Sequence, residues 1–176
     1  QTLSIFGFRC IGKELAKRAL AFDMKVMTMT RQSSVFVDGV ETTDSLEALF
    51  AKADHLVLAA PATIETDNIV NTKTLSYLKQ DAHLINIARG SLVDENDLKL
   101  ALDSGKLARA SLDAVQTEPL PADHWIYGHE KVFLSPHLAW CDMRVIDAIS
   151  TSFLDNLVLF AKQEPLNNVV DKKAGY

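Results

Sequence analysis

Short apolar stretches alternate with amphipathic ones along the whole chain, and that alternation leaves few folds open. Residues 3–6, 25–30, 55–60, 84–88, 108–113 and 132–135 read as strands, most of them continuous apolar runs of the kind buried on both faces. Between them the period changes to that of a helix. Ile11, Leu15, Ala19 and Phe22 mark one face of a first helix, and Leu98, Ala101 and Leu102 mark a later one that Gly105 ends as its C′ residue. Asp44 or Ser45 can cap a helix carrying Leu46, Leu49 and Phe50, and Asp94 can cap one that begins at Glu95. Apolar residues at helical spacing over 146–160 predict a long final helix. Strand then helix, repeated, implies a doubly wound α/β fold, a three-layer arrangement of about six or seven mostly parallel strands with helices on both faces. Residues 36–41 are read as either a short strand or loop.

With 176 residues, 48% of them hydrophobic, the chain can bury one good core, and it is read as one domain over 1–176 with a long helix and tail from about 143. A net charge of −5 and scattered Lys and Arg give no basic stripe, which argues against nucleic acid as a partner. Cys10 and Cys141 are far apart with no metal-ligand spacing, so neither a zinc site nor a disulfide framework is expected, and a reducing cytoplasm is the default. No apolar run approaches the ~20 residues that span a bilayer, and no signal sequence opens the chain, so no membrane partner is expected. Gln1 leads straight into a strand with no initiator methionine, and reads as either a cloning boundary or a processed edge.

Directly after the first strand comes Gly7-Phe8-Arg9-Cys10-Ile11-Gly12, and a helix opens from it. In a dinucleotide-binding turn the first glycine makes the tight bend, the second lets backbone approach the pyrophosphate, and the third lets helix and strand pack closely. Here Arg9 stands second. Its side chain either crowds a diphosphate or swings aside and pairs with it as a cation. After the second strand, where an NAD-preferring site shows Asp or Glu, the sequence has Thr30-Arg31-Gln32-Ser33-Ser34. Arg31 with hydroxyl donors suits a 2′-phosphate that a carboxylate would repel, so the reading favours NADP over NAD. Arg31 as a solvated loop residue is the alternative.

Three further stretches end strands with chemistry. Ile85-Asn86-Ile87-Ala88-Arg89-Gly90-Ser91-Leu92-Val93-Asp94 carries an arginine, Asp113-Ala114-Val115-Gln116-Thr117-Glu118-Pro119 carries two carboxylates, and Ser135-Pro136-His137-Leu138-Ala139 carries a histidine. In open parallel sheets ligands bind outside the carboxyl ends of strands, so all three are expected at one crevice. The residue types suit reduction of a 2-oxo acid. The planar fork of Arg89 matches a carboxylate, and the imidazole of His137 can exchange a proton with the developing alkoxide near neutral pH. Glu118 beside that ring would favour its protonated form and hold its orientation.

The blocks 86–94, 113–121 and 135–139, with 61–66 after the apolar run 55–60, resemble the signature blocks of the D-isomer-specific 2-hydroxyacid dehydrogenases, and the resemblance runs over essentially the whole chain, including a tail like a family C-terminus. It implies a Rossmann-type NAD(P)-binding domain of an oxidoreductase, with Arg89 binding substrate, His137 as acid/base and Glu118 as its partner. It also implies that Asp113 meets the nicotinamide carboxamide. The cofactor is then expected along Gly7, Phe8, Arg9, Cys10, Ile11, Gly12, Thr30, Arg31, Ala60, Pro61, Thr66, Ile87, Ala88, Arg89, Asp113, His137 and Ala139. A preceding substrate domain, a small 2-oxo or 2-hydroxy acid as partner and a homodimer follow from the same resemblance, and without that domain the chain is expected to bind dinucleotide better than it turns over. Two departures are Arg9 in place of glycine and Trp140 where smaller residues are common.

Other readings bear on the same residues. A dinucleotide-sensing, corepressor-like module reuses this domain without catalysis, and a scaffold is what remains if Arg9 abolishes cofactor binding. His55, His83, His124 and His129 show no acidic partner pattern and read as surface or strand-edge residues. Cys10, next to a helix start, reads as a packed small residue rather than a thiol of lowered pKa. Trp125 and Tyr127 are expected to pack their loop down. No metal site is expected.

Overall fold

β1 (Thr2–Phe6) is buried at every position after Thr2, as an apolar strand in the middle of a two-sided sheet must be. The computed structural model describes residues 1–29 and 37–172. After β1 come α1 (Cys10–Ala21), β2 (Lys25–Met29), β3 (Val40–Thr43), α2 (Leu46–Lys52), β4 (His55–Leu58), α3 (Thr72–Tyr77), β5 (His83–Asn86), α4 (Glu95–Asp103), β6 (Arg109–Leu112), β7 (Val132–Leu134) and α5 (Met143–Ala161). The described chain divides into two compact units, Gln1–Pro136 and His137–Tyr176.

The first unit holds a seven-stranded sheet in the order β3-β2-β1-β4-β5-β6-β7, parallel throughout. Chain order reverses between β1 and β4. Alternate residues of each strand face opposite ways, and the core divides accordingly. Phe6, Leu56, Leu58, Leu84 and Leu112 join Leu49, Phe50, Leu98 and Leu102 from α2 and α4 on one side. Leu3, Ile5, Val26 and Val57 join Ala16 and Ala19 of α1 on the other.

Helix starts follow local chemistry. Ser45 caps α2 by accepting from Ala48 N, Asn71 forms a capping box with Thr74 on α3, and Asp94 caps α4 by accepting from Asn96 N and Asp97 N. Gly105 follows α4 at φ +74. The helix α3 carries no strong period and is not legible in the sequence. Of the open stretch at 36–41, Phe36 lies outside the described residues, and from residue 37 on it leads into β3, which starts at Val40 and pairs with β2 from Val26↔Val40 onward.

The expected face of α1 holds at Leu15 and Ala19 and is corrected at Ile11 and Phe22. Gly12, Ala16 and Ala19 are buried while Ile11 and Phe22 are exposed. The cause is the closeness of helix and turn, since a Cβ on Gly12 would stand 2.4 Å from Gly7 O. Only small residues fit the centre of that stripe; Leu15 and Leu20 pack at its margins, while Ile11 and Phe22 turn outward.

The second unit is built on α5. Asp142 caps it through Arg144 N at 2.8 Å and pairs with the Arg144 guanidinium, which holds the carboxyl below the usual aspartate range. The tail returns to the helix, where Asn167 N donates to Asn156 Oδ1 at 2.8 Å and Asn156 Nδ2 donates to Asn167 O. Among the described residues no helix is long and apolar enough to cross a membrane.

Candidate functional site

Five strands of the sheet end in one row. Register pairs Phe6 with Leu58, Leu58 with Asn86, Asn86 with Leu112, and Leu112 with Leu134. The ladder continues one residue further, with Ala59 N donating to Phe6 O, Asp113 N to Asn86 O and Ser135 N to Leu112 O. Beyond that row each chain turns away, which is why β4, β5, β6 and β7 stop one or two residues before the apolar runs do. The turns so formed carry the predicted site residues Gly7, Ala60, Pro61, Ile87, Ala88, Arg89, Asp113 and Glu118.

At the reversal of chain order, Gly7 has φ +101, and a Cβ there would stand 2.5 Å from Ala60 N. Both facts require glycine. Arg9, by contrast, sits at φ −96 as the N-cap of α1, a conformation open to any residue, so arginine there strains no backbone. It is exposed. The first-turn amides at Cys10, Ile11 and Gly12 precede the first helical hydrogen bond, Lys13 N to Arg9 O, and the first turn holds no acidic residue. Such a helix start suits a diphosphate. The Phe8 side chain is buried in the core. Cys10 is exposed, which corrects its reading as a packed residue: the α1 stripe takes Gly12 and leaves position 10 outside.

The loop after β4 is stiffened by Thr66, which is buried; its Oγ1 donates to Pro61 O at 2.7 Å and accepts from Thr63 N at 2.8 Å. The loop after β5 depends on Asn86, buried at the end of its strand. Its Oδ1 accepts from Ala88 N at 3.1 Å, and its Nδ2 donates to Arg89 O at 2.9 Å and Ala114 O at 3.4 Å. One amide thus turns the chain into Arg89 and ties that turn to the loop after β6. The Arg89 side chain is exposed, with Nη1 donating to Ala88 O at 2.7 Å. Asp113 is buried and accepts from Ser135 Oγ at 2.5 Å. Glu118 Oε1 accepts from Val115 N at 3.1 Å, and the Glu118-Pro119 bond that follows is cis.

These loops interlock. Gly90 lies so close to the next loop that a Cβ would stand 2.0 Å from the Val115 carbonyl. Val70 and Val93 form a parallel bridge, Asn68 N donates to Ser91 O, and Gln116 Nε2 donates to Val93 O at 2.8 Å. Asn86, Gly90, Glu95 and Gln116 are the residues that sequence reading missed. Only Gly90 leaves a signal there, as a glycine directly after the candidate arginine.

His137 opens the second unit at φ +53, a region non-glycine residues adopt rarely, and Ala139 two residues on is exposed. Thr30 and Arg31 lie outside the described residues, and with them the residue on which the NADP preference rests.

The other histidines are corrected in one respect. His124 Nε2 lies 3.5 Å from Glu95 Oε2 and His129 Nε2 lies 3.1 Å from Asp103 Oδ1, so both have acidic partners, supplied by α4 from far along the chain. Trp125 packs partly against the core between these two rings, whereas Tyr127, expected to pack, is exposed. At the opposite edge of the sheet His83 meets Ser111 Oγ at 2.8 Å, and burial with the nearby Arg109 charge lowers its pKa to about 4. Among the described residues no group of three or more His, Cys, Asp or Glu is arranged to hold a metal ion.

Comparison with known proteins places this geometry. The model of the D-isomer specific 2-hydroxyacid dehydrogenase NAD binding domain matches residues 1–139. Glyoxylate/hydroxypyruvate reductase A of Serratia proteamaculans is 37% identical over 180 residues, covering 99% of this chain and 56% of the relative. The glyoxylate reductase of Thermococcus litoralis is 35% identical, covering 98% and 52%. Among solved structures, the NADPH-dependent glyoxylate/hydroxypyruvate reductase of Sinorhizobium meliloti, in complex with NADP and sulfate, superposes with a TM-score of 0.92. It is 32% identical and is matched over 99% of this chain and 57% of its own. A D-isomer specific 2-hydroxyacid dehydrogenase from Xanthobacter autotrophicus in complex with NADPH and MES also gives 0.92, at 29% identity over 99% and 72%. The chain spans somewhat over half the length of these two curated relatives.

Proposed function

This chain belongs to the D-isomer-specific 2-hydroxyacid dehydrogenases, matching their NAD-binding domain, and on that premise we propose that it binds a nicotinamide dinucleotide for hydride transfer to and from a small 2-oxo acid. The observation that carries the proposal is the row of strand ends at which the Gly7 turn, Arg89, Asp113 and Glu118 follow one another along one sheet edge. The turn at Gly7 and the start of α1 would take the diphosphate. Asp113, fixed by Ser135, would meet the carboxamide. The dinucleotide supplies the hydride when bound. Arg89 would hold the substrate carboxylate, and His137 would give the carbonyl oxygen its proton with Glu118 keeping the imidazole charged and oriented. Small acids such as glyoxylate or hydroxypyruvate are the proposed substrate class, because the matched relatives are named for them.

NADP(H) is the proposed cofactor. Arg31 supports it in the sequence, as do the solved relatives bound to NADP or NADPH. A homodimer and a cytoplasmic setting are part of the same proposal, supported by the exposed apolar residues of α5 and by two free, exposed thiols.

The test is a fluorescence titration of this chain with NADPH and separately NADH, reading energy transfer from Trp125 or Trp140. Saturable binding, tighter for NADPH, is expected. Tighter NADH binding would refute the role of Arg31. Binding of neither, rescued by Arg9→Gly, would show the arginine to be an obstacle, and binding of neither in both proteins would sink the proposal.

A further inference from the structure

We infer that Glu95 is a positioning residue that sets where Glu118 stands, although the two are 23 positions apart in sequence. Glu95 is the first residue of α4, a place where a carboxylate ordinarily faces solvent beside the helix dipole. Here it is buried, 7% exposed. A buried carboxylate is retained only where donors meet it, and two do. Gln116 N donates to Oε1 at 2.7 Å, and His124 Nε2 approaches Oε2 at 3.5 Å.

Both donors belong to the segment that carries Glu118, one on each side of it. Gln116 leads into Glu118, and His124 follows it after the turn at Pro119 and Pro121. The single carboxylate therefore pins the segment at two points. Gln116 adds a third tie through its side chain, which donates to Val93 O at 2.8 Å, immediately before the Asp94 cap of α4. Between these ties the Glu118 carboxylate closes on the Val115 amide at 3.1 Å, and Val115 in turn is backed by Gly90 with no room for a Cβ. The backbone from Ala114 to Glu118 has little regular structure of its own, so its position is imposed by what it binds. The catalytic meaning of this rests on the function proposed for Glu118; the placement of the loop does not.

The experiment is amide hydrogen exchange and 15N–1H NMR on the whole 176-residue chain, in the parent, Glu95→Ala and Glu95→Gln. In Glu95→Ala the Gln116 and Val115 amides are expected to exchange at least about tenfold faster and to move in chemical shift. Val115 is the informative one, because it touches Glu118 and not Glu95. Ala110 in β6 and Leu98 in α4 are expected to exchange as in the parent. Glu95→Gln keeps an acceptor oxygen and is expected to restore both loop amides to within about threefold. An unchanged Val115 amide in Glu95→Ala overturns the inference, and so does acceleration shared equally by Ala110 and Leu98, which would mark general loosening. If Glu95→Ala does not fold, Glu95→Asp, one methylene short, is read by the same criteria. Failure of the dinucleotide titration would remove the catalytic role of Glu118 and leave this result standing, so the two are separable.

Discussion

In α4, Leu98 and Leu102 are fully buried within a helix of 9 residues, whereas in α5, 19 residues long, Ile149, Phe153, Leu154 and Leu157 all stay more than half exposed. Both sequences have the apolar spacing of amphipathic helices. The difference lies in what each meets. α4 is bounded by capped ends and lies on a finished sheet, so its apolar stripe is matched by Leu84, Leu112 and Ile126. α5 belongs to a separate unit of 40 residues and extends past residue 139, where the match to the NAD-binding domain stops. An amphipathic period states that a face seeks cover and does not state what covers it.

The comparison is easiest to break with a pair of truncations. Leu98→Ala is expected to cost about 2–5 kcal/mol in denaturant unfolding, because the site is fully enclosed. Leu157→Ala is expected to cost less than about 0.5 kcal/mol in the monomer, as exposed sites do. A comparable loss at Leu157, growing with protein concentration, would mean that α5 is covered by a second copy and would support the proposed homodimer.

A smaller effect is expected from Gly90→Ala. The added methyl must displace the Val115 backbone, and overpacking of this kind costs about 1–3 kcal/mol. Because the strain falls between the loops that carry Arg89 and Glu118, NADPH titration should show weakened binding. Unaltered stability and affinity together would show that the two loops part easily and that the interlocking described above is weak.

Acid separates the two units most gently. His83, whose pKa in the fold is about 4, takes its proton less readily than in the unfolded chain. Its contribution to stability is therefore fully present above pH 6.5, declines as pH falls from there, and is exhausted below about 4. Asp142, at the start of α5, has a lowered carboxyl pKa, so its contribution holds above the ordinary aspartate value of 3.8 and is lost only below it. Thermal melts between pH 7 and 4 should show a falling Tm that His83→Gln flattens by a few degrees. An identical pH profile in His83→Gln would show that this histidine is not buried neutral.

The site was legible in unequal parts. Gly7, Arg89 and Asp113 each stand where an apolar run ends, and the rule that parallel sheets bind ligands beyond strand ends makes them candidates from sequence alone. The braces behind them were not legible. Asn86 looks like one more strand residue until its amide is seen to hold Ala88, Arg89 and Ala114 together. Glu95 looks like a first-turn carboxylate on the helix dipole until its burial is known. On α1 the spacing places Leu15 and Ala19 on the core side but not Ile11 and Phe22, because the approach of Gly12 to Gly7 sets which small residues face inward.

The alternation of strand and helix outside α3 and β3, the cap at Asp94 and the stop at Gly105 were determined by the sequence alone, because period, side-chain capping and backbone freedom act within a few residues. Tertiary structure decided the reversal between β1 and β4, the common row of strand ends, the acidic partners of His124 and His129 and the burial of Glu95. These depend on residues tens of positions apart, whose pairing is chosen by packing and by the need to satisfy every buried polar group, and no local period encodes that choice.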